Sequence, residues 1–262
     1  MTDLRLTHIG GPTVLLEFDG WRLLTDPTFD PPGRRYKFGW GTSSRKVVGP
    51  ALAVDDLGPI DAVLLTHDHH ADNLDDAGRR LLADRDPTVI TTIAGAGRLG
   101  PPARGLAPWE TSTLEAAGRP TVTITATPCR HGPPGSHPIV GDVVGFALTW
   151  EGQRHGSLWI TGDTVLYPDL REVPDRVHPG TVLLHLGGVR FPISGPLRYT
   201  MTADDAVDLL ATGRAPTIVP VHYEGWSHFQ GDQQSARRTF AAAGLDERVR
   251  WATPGSALPI EC

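Results

Sequence analysis

Leu64-Leu65-Thr66-His67-Asp68-His69-His70-Ala71-Asp72-Asn73-Leu74-Asp75 is the densest set of potential metal ligands in the chain, and it follows directly on an apolar run, Ala62-Val63-Leu64-Leu65. Neutral imidazole and carboxylate are the donors that borderline divalent ions such as zinc prefer, and one tight loop can offer several of them to a single ion. Histidines in one loop prove little alone. Three later segments repeat the same design, an apolar run that ends in a ligand-type residue. Val122-Thr123-Ile124 leads through Thr127-Pro128 to His131, Leu158-Trp159-Ile160-Thr161-Gly162 leads to Asp163, and Ile218-Val219-Pro220-Val221 leads to His222. Residues just past the carboxyl ends of strands that point the same way collect in one crevice, so His67, His69, His131, Asp163 and His222 are expected to converge.

Working outward from that loop, short alternating runs separated by Gly-Gly-Pro and Asp-Gly predict an opening β-meander at Leu4–Ile9, Thr13–Phe18 and Trp21–Thr25. Further strands are expected at Ala62–Thr66, Thr88–Thr92, Thr121–Thr127, Val143–Trp150, Leu158–Thr161, Thr181–Leu186, Thr217–Val221 and, closing the chain, Val249–Ala252. Helices are expected from Leu74 to about Ala83, from the N-cap Thr202 to about Ala211, and over Asp232–Ala243. The Gly- and Pro-rich stretch Pro27–Pro59 carries Phe29, Tyr36, Phe38 and Trp40, which suit either a lid over a site or a loop packed on the core.

The 262 residues, with 39% hydrophobic and 21% charged side chains, describe an ordinary globular chain, read as one domain over residues 1–262. A net charge of −6 argues against a broad nucleic-acid surface. No segment approaches the ~18 apolar residues of a membrane span, and the N-terminus lacks the pattern of a secretory signal, so a cytoplasmic protein is expected. Two cysteines, Cys129 and Cys262, do not make a disulfide framework, and Cys129 reads as a small buried thiol.

Taken together, Thr7-His8-Ile9-Gly10-Gly11-Pro12-Thr13, Leu24-Thr25-Asp26-Pro27, the histidine loop, Thr127-Pro128-Cys129-Arg130-His131-Gly132, Ile160-Thr161-Gly162-Asp163-Thr164 and Val219-Pro220-Val221-His222-Tyr223 resemble the metallo-β-lactamase superfamily. The resemblance covers almost the whole chain. It points to the branch that looks like the ascorbate-6-phosphate lactonases and the N-acyl-phosphatidylethanolamine phospholipases D. The fold it implies is α/β, an αββα sandwich of two mixed sheets flanked by helices. Carried over residue by residue, it puts His67, His69 and His131 in a first metal site and makes Asp163 a bridge to a second ion held by His222. The family pattern His-x-His-x-Asp-His is imperfect here, because Asn73 or Asp72 stands where its last histidine belongs, depending on where an extra residue is placed. Three arrangements stay open: Asp72 and His70 hold the second ion, Asn73 serves as a neutral oxygen ligand, or one ion suffices.

The chemistry implied is metal-dependent hydrolysis of a small-molecule ester, lactone or phosphodiester by a metal-bound hydroxide, with zinc as the expected ion and manganese or iron as alternatives. Asp72 is the candidate to orient the nucleophile or move its proton, and His185 to donate to a substrate oxyanion, with a core histidine as the other reading of His185. Asp26 would support a ligand histidine through a hydrogen bond. Arg190 suits an anionic group on the substrate or plain solvent exposure. Trp226, His228 and Phe229 could line the pocket, His8 reads as structural, and His137, His155 and His178 as solvated. An iron-dependent oxygenase on the same fold, a nuclease, and a metal-binding relic with little catalysis are the competing classes, and the partner expected is a small molecule rather than nucleic acid or membrane.

Overall fold

The computed structural model describes residues 3–39, 41–210 and 217–262. In chain order the strands are β1 (Asp3–Gly10), β2 (Thr13–Phe18), β3 (Trp21–Thr25), β4 (Arg35–Gly39), β5 (Thr42–Arg45), β6 (Ala62–Leu64), β7 (Thr88–Thr92), β8 (Arg104–Leu106), β9 (Thr111–Leu114), β10 (Val122–Pro128), β11 (Val144–Thr149), β12 (Ser157–Ile160), β13 (Pro179–His185), β14 (Thr217–Val221) and β15 (Ala257–Glu261). The helices are α1 (Asp76–Arg85), α2 (Ile93–Leu99), α3 (His137–Val140), α4 (Pro168–Arg171), α5 (Val173–Val177), α6 (Ala203–Leu210) and α7 (Gln233–Ala242). Seven strands form one sheet in the order β15-β1-β2-β3-β6-β7-β8, and six form a second in the order β14-β13-β12-β11-β10-β9.

Alternation along the strands builds the layers, because successive side chains leave opposite faces of a sheet. Leu16, Leu23 and Leu64 of the first sheet meet Ile124, Phe146, Leu158 and Leu183 of the second in one core between the two. The opposite face of the first sheet, with Leu15, Leu24, Val63 and Val89, is covered by Leu81 of α1. The outer face of the second, with Trp159, Val182, Leu184 and Ile218, is covered by Leu209 of α6 and Phe240 of α7. The result is the αββα arrangement of the metallo-β-lactamase fold. Among the described residues no helix is long and apolar enough to cross a membrane.

Helix α1 is fastened at its start. Asp75, its N-cap, accepts from the Gly78 amide at 2.9 Å, from the amides of Phe29 (2.9 Å) and Asp30 (2.7 Å), and from Lys46 Nζ (2.9 Å). The helix lies so close to the preceding loop that a Cβ on Gly78 would fall 2.0 Å from the Pro27 carbonyl oxygen. Alanine raises helix propensity by about 1 kcal/mol, but here it must push backbone aside. Gly78→Ala is expected to destabilise the protein by a net ~1–3 kcal/mol, read from the midpoint of urea unfolding.

The predicted strands at Thr13–Phe18, Trp21–Thr25, Thr88–Thr92 and Thr217–Val221 have the observed bounds. Thr202 caps α6 in a reciprocal pair with Asp205: the Asp205 amide donates to Thr202 Oγ1 (3.2 Å), and the Thr202 amide to Asp205 Oδ2 (2.9 Å). Ala211, the expected end of that helix, lies outside the described residues. Two differences stand out. Val249–Ala252 makes only an isolated bridge, Val249 to Ile218, and the last strand is β15, paired with β1. The Pro27–Pro59 stretch contains the β4–β5 hairpin, which buries Tyr36 and Phe38 and keeps Arg35 and Lys37 outside. Trp40 lies outside the described residues.

Candidate metal centre

Strands β10, β12, β13 and β14 all run in one direction, since β11 is antiparallel to both of its neighbours and β12, β13 and β14 pair in parallel. Their carboxyl ends therefore open on one edge, where His131, Asp163 and His222 follow β10, β12 and β14. The first sheet contributes the loop after β6. His222 takes φ +56°, a left-handed conformation unusual for a non-glycine residue, and its amide donates to the Gly11 carbonyl at 2.9 Å. The β1–β2 turn thus holds the end of β14 in place.

Two trios form. In the first, His70 Nδ1 stands 3.2 Å from His67 Nε2 and 3.2 Å from His131 Nε2. In the second, Asp72, Asp163 and His222 bring ligand atoms within 4.8 Å of one another, with His222 Nδ1 3.2 Å from Asp163 Oδ1 and His222 Nε2 3.6 Å from Asp72 Oδ2. All six side chains are buried. Each trio draws on both sheets.

The sequence assigned His69 to the first trio, and the structure places His70 there. His69 packs 4.3 Å from the His70 ring but sets its Nε2 against the Val140 carbonyl oxygen and its ring against Gly141. The extra residue of the loop thus falls between His67 and His70. Counted back from Asp72, His70 takes the place of the second family histidine and Asn73 that of the last. Asp72 enters the second trio. Asn73 is fully buried, its amide nitrogen toward Thr66 Oγ1 at 3.4 Å.

His185, the candidate oxyanion donor, is fully buried beneath the second trio, with Nε2 3.6 Å from Asp26 Oδ2, its amide donating to Thr161 Oγ1, and no share in the cavity walls. Its Nε2 has no hydrogen-bond partner among the described residues. Asp26 does not touch a ligand imidazole. It accepts from the Thr66 amide (2.7 Å) and hydroxyl (3.0 Å), and Thr66 Oγ1 in turn contacts His67 Nδ1 (3.0 Å). Arg190 is exposed, as are His137, His155 and His178. His8 is buried, its Nε2 3.0 Å from the Gly11 carbonyl. Cys129 is half-buried, its thiol donating to Thr161 O at 3.0 Å, apart from both trios.

Burial, with neighbouring imidazoles adding to it, holds His67 and His70 well below the ordinary histidine value. Burial also pushes His131 down to about 4. Three neutral imidazoles in one place are histidines in their ligating state. In the second trio burial pulls on His222, but the carboxylates of Asp163 and Asp72 outweigh it and raise the imidazole to about 9. Burial raises Asp163 to about 6. It also acts on Asp72, yet the His222 and His228 imidazoles facing it hold that carboxyl well below its usual range.

The donor set fits a divalent cation. Asp72 Oδ1, Asp163 Oδ1 and His222 Nε2 are buried without a hydrogen-bond partner in the protein, and each such group left unmet costs ~1–3 kcal/mol. Acceptor oxygens and a ring nitrogen gathered in one place are satisfied together by a cation.

A narrow cavity of about 30 Å³ opens on His70, Asp72 and His131, walled by Phe38, Val189, Phe191, Tyr199 and His228. Among the aromatics foreseen near His222, His228 lines it, while Trp226 and Phe229 pack behind. Phe191 and Tyr199 had no ligand-type neighbour to single them out. A wider cleft of about 370 Å³ beyond His131 and Val140 touches only His131 of the six, so the chemistry belongs to the smaller space.

The model of the β-lactamase superfamily domain matches residues 21–223. A protein of Methanosphaerula palustris named as a UPF0173 metal-dependent hydrolase is 29% identical over 206 residues, 76% of this chain and 84% of its own. The isothiocyanate hydrolase from Delia radicum gut bacteria superposes with a TM-score of 0.82 at 23% identity, covering 98% of this chain and 99% of that one. A possible metal-dependent hydrolase from Veillonella parvula gives 0.80 at 20% identity, with 98% and 99% covered. The matched domain reaches from β3 past His222, and so takes in both trios: this chain belongs to the metallo-β-lactamase superfamily and is a hydrolase of that family.

Proposed function

We propose that this hydrolase acts on small, electrically neutral substrates with an apolar substituent, attacking an electrophilic carbon such as that of an ester, lactone or isothiocyanate. The observation that carries this reading is the wall of the narrow cavity. Phe38, Val189, Phe191 and Tyr199 offer apolar surface, and among the described residues no lysine or arginine lines it. A phosphate or carboxylate remote from the reacting bond finds no cation there to offset its lost hydration. Arg190, the sequence candidate for that task, faces solvent.

His67, His70 and His131 would hold one divalent ion, and Asp72, Asp163 and His222 a second; zinc suits this mixture of imidazole and carboxylate, and manganese and iron are the alternatives. Such ions, when bound, lower the pKa of water from 15.7 to about 7 and polarise a substrate oxygen. The protein's own groups do the rest. Asp72 Oδ1, buried and without a protein partner, can accept a hydrogen bond from a water in the cavity and fix its direction. Phe38, Phe191 and Tyr199 turn apolar surface toward a substituent at the cavity mouth and keep bulk water away, which strengthens the polar contacts at the base.

The test compares pairs of esters that differ only in a carboxylate far from the scissile bond, together with alkyl and aryl isothiocyanates, on protein loaded with zinc or manganese. The neutral member is expected to show kcat/KM at least ~100-fold higher, the cost of leaving a charge unpaired in a buried site. Preference for the anionic member would sink the proposal. Dioxygen uptake by the iron-loaded protein without hydrolysis would favour the oxygenase reading instead.

A further inference from the structure

We propose that His228 is a ligand of the second ion, supplying the imidazole that the superfamily pattern places where this chain has Asn73. The assignment rests on reading the centre as a two-ion site. It starts from a shared wiring. His67 and His131 each hold Nδ1 against an oxygen, Thr66 Oγ1 at 3.0 Å and the Tyr199 carbonyl at 2.8 Å, and so present Nε2 to the site. An oxygen on the far nitrogen fixes the tautomer and ring angle of metal-binding histidines. His228 has the same arrangement: Nδ1 lies 2.5 Å from Ser44 Oγ, and Nε2 points at Asp72 Oδ2, 3.1 Å away.

The ring is held there from all sides. Phe191 stacks on it at 5.5 Å with planes 20° apart, and Phe38 and Phe229 close in at 5.5 and 4.6 Å. Its loop is tied to β5, with the Arg45 amide donating to Ser227 Oγ (2.9 Å) and the Ser227 amide to the Arg45 carbonyl (3.0 Å). Such a clamp leaves His228 one direction in which to present Nε2, toward the carboxylate of the second trio. Asn73 offers only an amide, a weaker donor to a borderline ion than imidazole. With His228 added, the second trio gains an imidazole at Asp72, and the lost family histidine is replaced from a different part of the chain. The competing role is that of a positioning residue, which donates a hydrogen bond to Asp72 and touches no ion.

Ion counting separates the two without recourse to activity. The full-length protein is loaded with cadmium, its metal content measured by elemental analysis, and its ¹¹³Cd NMR spectrum recorded for wild type, His228→Ala and Asn73→Ala. Two ions are expected in wild type and in Asn73→Ala. In His228→Ala one resonance should be lost or move to the shift of a site with one nitrogen fewer, while the other stays. Two unshifted resonances in His228→Ala, or a single ion in wild type, would overturn the proposal. Should His228→Ala not fold, Ser44→Ala serves: it removes the oxygen that orients Nδ1 and should weaken the second ion ~10–100-fold, and unchanged affinity there overturns the proposal too. Two ions in a wild-type protein that hydrolyses none of the neutral substrates would count against the proposed function and leave His228 as assigned.

Discussion

His70→Ala is expected to reduce kcat/KM at least ~10³-fold, and His69→Ala less than tenfold. His70 stands 3.2 Å from both His67 and His131, whereas His69 is directed at the Val140 carbonyl. A bound divalent ion contributes several kcal/mol to the transition state, and each 1.36 kcal/mol is a factor of ten in rate, so losing a ligand of the first ion is worth about three decades. Steady-state kinetics on the preferred ester, with metal content determined on the same samples, reads both effects. A larger loss for His69→Ala would return the ligand role to the residue that simple spacing favours. Exhaustive chelation should reproduce the His70→Ala phenotype in the unaltered protein, and zinc or manganese added back should reverse it.

Asp75→Ala is expected to cost about 3–5 kcal/mol of folding stability, seen as a lower urea midpoint with an unchanged slope. Asp75 accepts from three backbone amides and from Lys46, and the side chains of the Lys46–Asp75 pair are 4% and 0% exposed. Removing the carboxylate strands the ammonium in a buried position beside the Trp226 ring. The double variant Asp75→Ala/Lys46→Met should recover part of the loss, because the stranded charge goes with it, while the N-cap and the two amides of Phe29 and Asp30 stay unpaired. A double variant no more stable than Asp75→Ala alone would show that the amides, not the charge, dominate.

Strands such as β2, β3 and β14 could be placed from the sequence because apolar runs there are cut off sharply by turn residues or by a ligand. The convergence of four strand ends follows from that pattern, while the sandwich is what the resemblance to the metallo-β-lactamase superfamily implies. The β4–β5 hairpin was hidden, although Arg35-Tyr36-Lys37-Phe38 does alternate outside and inside, because glycine and proline on both sides read as loop. Pro259 concealed β15: proline demotes a central strand but is tolerated at an edge, and β15 is the edge of its sheet. Spacing favoured His69 over His70. One extra residue in a tight loop leaves either imidazole able to turn inward, and the choice is made by Val140 and Gly141, some 70 positions away in sequence. His228 follows no strand end. Its orientation comes from Ser44, 184 positions earlier, a relation that only the folded chain reveals.

That each trio takes members from both sheets has a mechanical corollary. A cation seated there is a rivet through the seam of the sandwich, and at a free concentration of 100 times its Kd it would strengthen the folded state by about 2.7 kcal/mol. Starving this protein of metal should therefore not only silence it but let its two halves part more readily, so that thermal resistance tracks ion supply in the same titration that tracks turnover.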